Sequence, residues 1–255
     1  MDVLKRDFGP SDLEKEIREA GIDGVISVQA RTDPAENEFL LQFAGNNDFI
    51  KGVVGYVDLT HPGVAEQLTE LSLKHKKFIG VREVLQGMDD DAYCLRKDFN
   101  RGIALLHDHG LVYDVLIFHR HLPNAIKFVD QHPLQSFVLD HIAKPAIENT
   151  IPDPAWIKNM KSLGEREHVS CKISGMVTEV TGQKTWSPEL LKPYFEVAWE
   201  AFGPRRLLFG SDWPVCLLRC GYIEWVNAVT TWTESLSNSE QEAFWGGNAI
   251  RIYKV

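Results

Sequence analysis

Short apolar runs recur along the chain, near residues 25–28, 53–57, 78–84, 111–118, 137–139, 169–173 and 207–209. They are rich in Val, Ile, Leu and Phe and mostly do not alternate with polar residues, as expected of strands buried on both faces. Between them lie helix-length segments with apolar positions at helical spacing, such as 64–75, 96–109, 122–132 and 188–202. Helix starts are expected at Ser11 with Glu14 and at Ser239 with Glu242, both capping-box spacings, and at Ser187 followed by Pro188. The connection after Asp140, carrying Pro145, Pro152 and Pro154, is the longest. It reads either as a flap over a pocket mouth or as a passive surface loop.

Repeated strand-helix units imply a parallel sheet, either doubly wound or closed into a (β/α)8 barrel. No Gly-x-Gly-x-x-Gly or Walker pattern follows an early strand, which favours the barrel. The first expected element is nevertheless a helix, residues 11–20, and only seven strands follow it. The expectation is therefore a single barrel domain, residues 1–255, lacking its first strand. That strand would lie upstream of Met1, or its slot would be filled by residues 1–10 or by a second chain.

Composition narrows the partners. A chain of 255 residues with 44% hydrophobic residues can bury one large core. A net charge of −9 disfavours nucleic acid or an anionic membrane as the main partner. Cys94, Cys171, Cys216 and Cys220 show no Cys-x-x-Cys spacing, which fits reduced thiols in the cytoplasm. No apolar segment is long enough to span a bilayer, and the N-terminus lacks a signal-peptide core. A homo-oligomer is compatible with all of this.

Polar residues gather at the strand ends: Gln29, Asp58, His61, Arg82, Glu83, Asp114, His119, His121, Asp140, His141, Lys144, Lys172, Ser174 and Asp212. In parallel sheets the C-terminal strand ends are where ligands bind. Regular alternation lets only one of Arg82 and Glu83, and one of Asp140 and His141, face inward. His119 and His121 would share one face of an extended segment, a spacing that suits a single ligand or a substrate contact.

Four segments carry a family resemblance in the same order. They are Asp23-Gly24-Val25-Ile26-Ser27-Val28-Gln29-Ala30, Gly80-Val81-Arg82-Glu83-Val84-Leu85-Gln86, Val138-Leu139-Asp140-His141-Ile142-Ala143-Lys144-Pro145 and Gly210-Ser211-Asp212-Trp213-Pro214. The chain resembles the amidohydrolase superfamily, in the branch holding sugar-lactone hydrolases and 2-pyrone-4,6-dicarboxylate lactonase. The resemblance implies a (β/α)8 barrel in which Asp212 activates water and Arg82, His141 and Lys144 surround the substrate carbonyl or carboxylate. Members of the family begin with a strand bearing His-x-His, and this chain has none before its first helix.

The function expected is hydrolysis of a small sugar-acid or related lactone. Asp212 and His141 would be catalytic, while Arg82, Lys144, Trp213, His119 and Gln29 would bind substrate. The resemblance implies either no cofactor or one divalent metal, Zn or Mn, on Asp212, His141 and Glu83. The rivals are a metal-dependent amidohydrolase or decarboxylase, and a catalytically impaired barrel that binds a small acid.

Overall fold

A computed structural model describes residues 2–182 and 185–255. Among these, seven parallel strands form one sheet in chain order: β1 (Val25–Val28), β2 (Ile50–Gly55), β3 (Phe78–Glu83), β4 (Val112–Val115), β5 (Phe137–Leu139), β6 (Val169–Ile173) and β7 (Leu207–Phe209). Each strand pairs with the next, and the described residues show no pairing between β1 and β7. The sheet is a curled, TIM-type partial barrel, matching the expected seven strands.

Helix α1 (Pro10–Glu19) comes first, and α2 (Pro34–Asn46), α3 (Val64–Lys74), α4 (Lys97–Leu106), α5 (Leu122–Asp130), α6 (Pro154–Gly164) and α7 (Pro188–Phe202) lie between strands. After β7 come α8 (Tyr222–Thr233), α9 (Asn238–Glu242) and α10 (Asn248–Tyr253). Three helices begin at an acceptor followed by proline. Asp33, Asp153 and Ser187 each accept a backbone N–H of the first turn, ahead of Pro34, Pro154 and Pro188. Pro154, expected within a loop, thus opens α6. The other two expected caps move: Gly9 caps α1 while Asp12 reaches back to its N–H, and Ser237 with Glu240 forms the box that had been placed at Ser239.

Alternation along the strands creates two cores. Val53, Val81, Tyr113, Phe137, Leu139, Ile173 and Leu207 point outward and pack on Leu68, Phe99, Phe128, Trp156 and Tyr194 of the helices. Val54, Val112, Val138 and Leu208 point inward, where Ile252 and Tyr253 of α10 stopper the lumen. This double burial explains the unbroken apolar runs. The four cysteines are free and buried. Among the described residues no helix is long and apolar enough to cross a membrane.

Among the described residues, those before α1 form no strand. Asp2–Leu4 is a short 3-10 turn, and Phe8 stands edge-on to Trp213 with ring centroids 5.2 Å apart. An edge-to-face pair of this kind helps to hold the Trp213 indole beside Asp212 in the chain.

Candidate active site

Above the apolar floor, the lumen holds a chain of buried charges. Tyr253 donates its hydroxyl to Asp114 at 2.7 Å, and Lys172 reaches Asp114 at 2.5 Å and Asp140 at 2.8 Å. Arg82 then bonds Asp140 at 2.8 Å through Nη1 and the Gln29 carbonyl through Nη2. Gln29, fully buried, returns a bond from Nε2 to the Arg82 carbonyl at 3.0 Å. Two cations and two carboxylates balance, as a dry interior requires. Burial alone would raise the Asp140 carboxyl, but Lys172 and Arg82 outweigh it and hold the group well below the usual range. At Asp114 burial prevails and the carboxyl is raised.

The mouth of the lumen is built by an irregular turn. Directly after β5, His141, Ile142, Ala143 and Lys144 all have φ between 47° and 60°. Left-handed backbone costs roughly 1–2 kcal/mol per residue, and for a β-branched residue such as Ile142 it is a marked exception. The turn is over-determined by its surroundings: Lys144 N–H donates to the His141 carbonyl at 2.8 Å, and Trp156 Nε1 donates to Ile142 at 3.0 Å. It also breaks alternation. Asp140 faces the lumen and His141 faces its mouth, against the expectation that only one of them could point inward.

His141 Nδ1 shares a 2.7 Å hydrogen bond with Ser174 Oγ, and its Nε2 lies 3.7 Å from Asp212 Oδ1. Burial lowers the imidazole pKa despite the opposing pull of Asp212 and Asp140. Burial thus favours the neutral ring. Asp212 sits just past β7, itself left-handed with φ 53°. Gly175, with φ 64°, lies under the imidazole, where an added Cβ would stand 2.8 Å from His141 Cγ. Gly175→Ala is therefore expected to displace His141 and cut turnover at least tenfold, with a loss of melting temperature from the left-handed backbone that alanine must adopt. Kinetics and a melting curve on one preparation check this.

Lys144 and His119 complete the rim. His119 Nδ1 lies 3.0 Å from the Lys144 carbonyl oxygen, and Lys144 Nζ is 4.0 Å from Glu179 Oε1. Glu179, on a 3-10 turn after β6, was not among the residues singled out from sequence. A carboxylate within the apolar stretch Met176-Val177-Thr178-Glu179-Val180, just past a strand, was the signal available.

Two expectations fail here. His119 and His121 do not share an extended face, because residues His119–His121 form a 3-10 turn. His121 is buried and satisfied away from the mouth: its Nδ1 accepts the Phe118 N–H at 3.1 Å and its Nε2 donates to Asp91 at 2.8 Å. Glu83 does not join Asp212 and His141. It points to the outer face, where its charge acts on Tyr56, Tyr93 and Tyr113, and its Oε1 accepts the Val84 N–H at 2.8 Å. Strand alternation sends Arg82 in and Glu83 out, as the pairing argument required.

Among the described residues no three His, Cys, Asp or Glu side chains converge to hold a metal ion. His141 and Asp212 supply two donors, one short of the three protein ligands usual for a catalytic zinc. The donor set of these residues does not fit a tightly held Zn or Mn.

Charges are buried in the lumen, and titratable groups gather at the C-terminal strand ends, the face on which barrel enzymes carry their chemistry. The chain belongs to the amidohydrolase family, whose model matches residues 2–255. It is 40% identical to an L-fucono-1,5-lactonase of Burkholderia multivorans over all of this chain and 88% of that protein. A second L-fucono-1,5-lactonase, from Burkholderia ambifaria, is 33% identical with the same coverage. A crystal structure of an amidohydrolase from Burkholderia multivorans with bound zinc superposes with a TM-score of 0.95 at 39% identity, covering all of this chain and 91% of that one.

Proposed function

We propose that the chain hydrolyses a small sugar-acid lactone, water attacking the ring carbonyl. The observation that carries this reading is the facing of Asp212 and His141 at the strand ends, 3.7 Å apart and so not spent on each other. Asp212 takes a proton from water as general base. The neutral imidazole of His141 hydrogen-bonds the reacting centre, and Lys144 places a cation beside the developing oxyanion. His119 braces the Lys144 backbone and lines the rim. Trp213 adds an apolar wall. Arg82 and Gln29 lie one layer deeper and hold Asp140 and each other, so they shape the floor on which the lactone rests.

The two lactonase relatives support this substrate class and suggest L-fucono-1,5-lactone as the first compound to test. Bound zinc in a related structure favours a metal-assisted reading, which the two-donor mouth does not support. The test is proton release from a panel of five- and six-membered aldonolactones, before and after dialysis against a chelator. Catalysis above the buffer rate that survives dialysis is expected. Activity lost on dialysis and restored by one metal would favour the other reading.

A further inference from the structure

We infer that Glu179 is a second catalytic carboxyl, the proton donor to the ring oxygen that leaves as the lactone opens. The inference rests on the lactonase reading of the same mouth. Glu179 is held there by two loops at once. The Ile147 N–H, from the connection after β5, donates to the Glu179 carbonyl at 3.1 Å, and Ile147 bridges Val180 in a short parallel contact. The backbone is thereby fixed while the side chain, 18% exposed, points to Lys144. Apart from Lys144, the hydroxyl of Thr178 is its bonded neighbour, at 3.5 Å.

The charged groups facing it are Lys144, Asp212 and His119. Burial raises the Glu179 carboxyl, Asp212 pushes it further in the same direction, and Lys144 and His119 oppose them without prevailing. Paired carboxyls in unlike environments divide acid and base roles in this way.

The step balances. Asp212 removes one proton from water as the new C–O bond forms at the carbonyl. The tetrahedral adduct then expels the ring oxygen, and Glu179 supplies the proton that makes it a hydroxyl. The new carboxylic acid ionises and returns a proton to Glu179, while the proton on Asp212 goes to solvent. Lactone and water become a hydroxy-carboxylate and one proton.

An aliphatic ring oxygen is a poor leaving group and needs this proton, whereas a phenolic oxygen does not. Glu179→Gln is therefore compared with wild type on an aldonolactone and on dihydrocoumarin, with a full pH profile and a melting curve. The expected result is a loss of kcat of about 10²-fold or more on the aldonolactone, at most a few-fold loss on dihydrocoumarin, and an unchanged melting temperature. The fall in wild-type activity as pH rises through the Glu179 pKa should vanish in the variant. Equal losses on both substrates, or an alkaline limb that persists in Glu179→Gln, would overturn the inference and leave Glu179 as a tether for Lys144. Wild type with no lactone turnover would instead remove the lactonase reading and the inference with it.

Discussion

Asp212→Asn is expected to lower lactone turnover by about 10²–10⁴-fold, roughly 3–5 kcal/mol of barrier, the usual contribution of a general base. The amide keeps the shape of the carboxylate but cannot accept a proton from water. Binding should change little, because the residue's distinctive contribution comes when the water is deprotonated. Asp212 lies at the barrel mouth rather than in the buried charge chain, so the melting temperature should stay close to wild type. Steady-state kinetics with a product-binding titration separate the two effects. A variant with wild-type kcat would show that the base is elsewhere.

The largest stability effect is expected at Lys172. Its ammonium lies between two fully buried carboxylates, Asp114 and Asp140, at 2.5 and 2.8 Å. Lys172→Met keeps the stem and removes the charge, leaving Arg82 on Asp140 and only the Tyr253 hydroxyl on Asp114. Breaking a buried ion pair from one side typically costs about 3–5 kcal/mol, since the partner keeps its desolvation penalty. For a chain of this size that is on the order of a 10 °C drop in melting temperature. Adding Asp114→Asn to Lys172→Met should recover part of the loss, because one carboxylate then needs no counter-charge. A single variant within about 1 kcal/mol of wild type by denaturant titration would mean that the lumen is wetter than the burial of these groups implies.

Much of the fold was legible because a strand covered on both faces is written as an unbroken apolar run. All seven observed strands coincide with such runs, and α7 matches its expected span to the residue. What escaped was set by local competition. Ser11 and Ser239 had the spacing of caps, yet Gly9 and Ser237 took the positions because neighbouring carboxylates, Asp12 and Glu240, satisfied the N–H groups there.

At the site, Asp212, His141 and Lys144 were readable from their place just past apolar strands, and the structure brings them together. The inward turn of both Asp140 and His141 was not readable. It depends on four consecutive left-handed residues held by Trp156 and Ser174, which no alternation rule contains. Glu83 was misplaced as a metal ligand because the motif made it a neighbour of Arg82, whereas the pleat puts it on the opposite face of the sheet. Glu179 stayed hidden because nothing in its sequence neighbourhood shows that the loop after β5 pins it over the mouth.

The most direct measurement is turnover of L-fucono-1,5-lactone by chelator-treated wild-type protein in ¹⁸O-water, with the product analysed by mass spectrometry. On the proposed mechanism water activated by Asp212 attacks the carbonyl, so the expected result is acceleration well above the buffer rate with one heavy oxygen in the new carboxylate and none in the released hydroxyl. No acceleration over buffer, or label in the hydroxyl, would contradict metal-free opening of this lactone by water activated at Asp212.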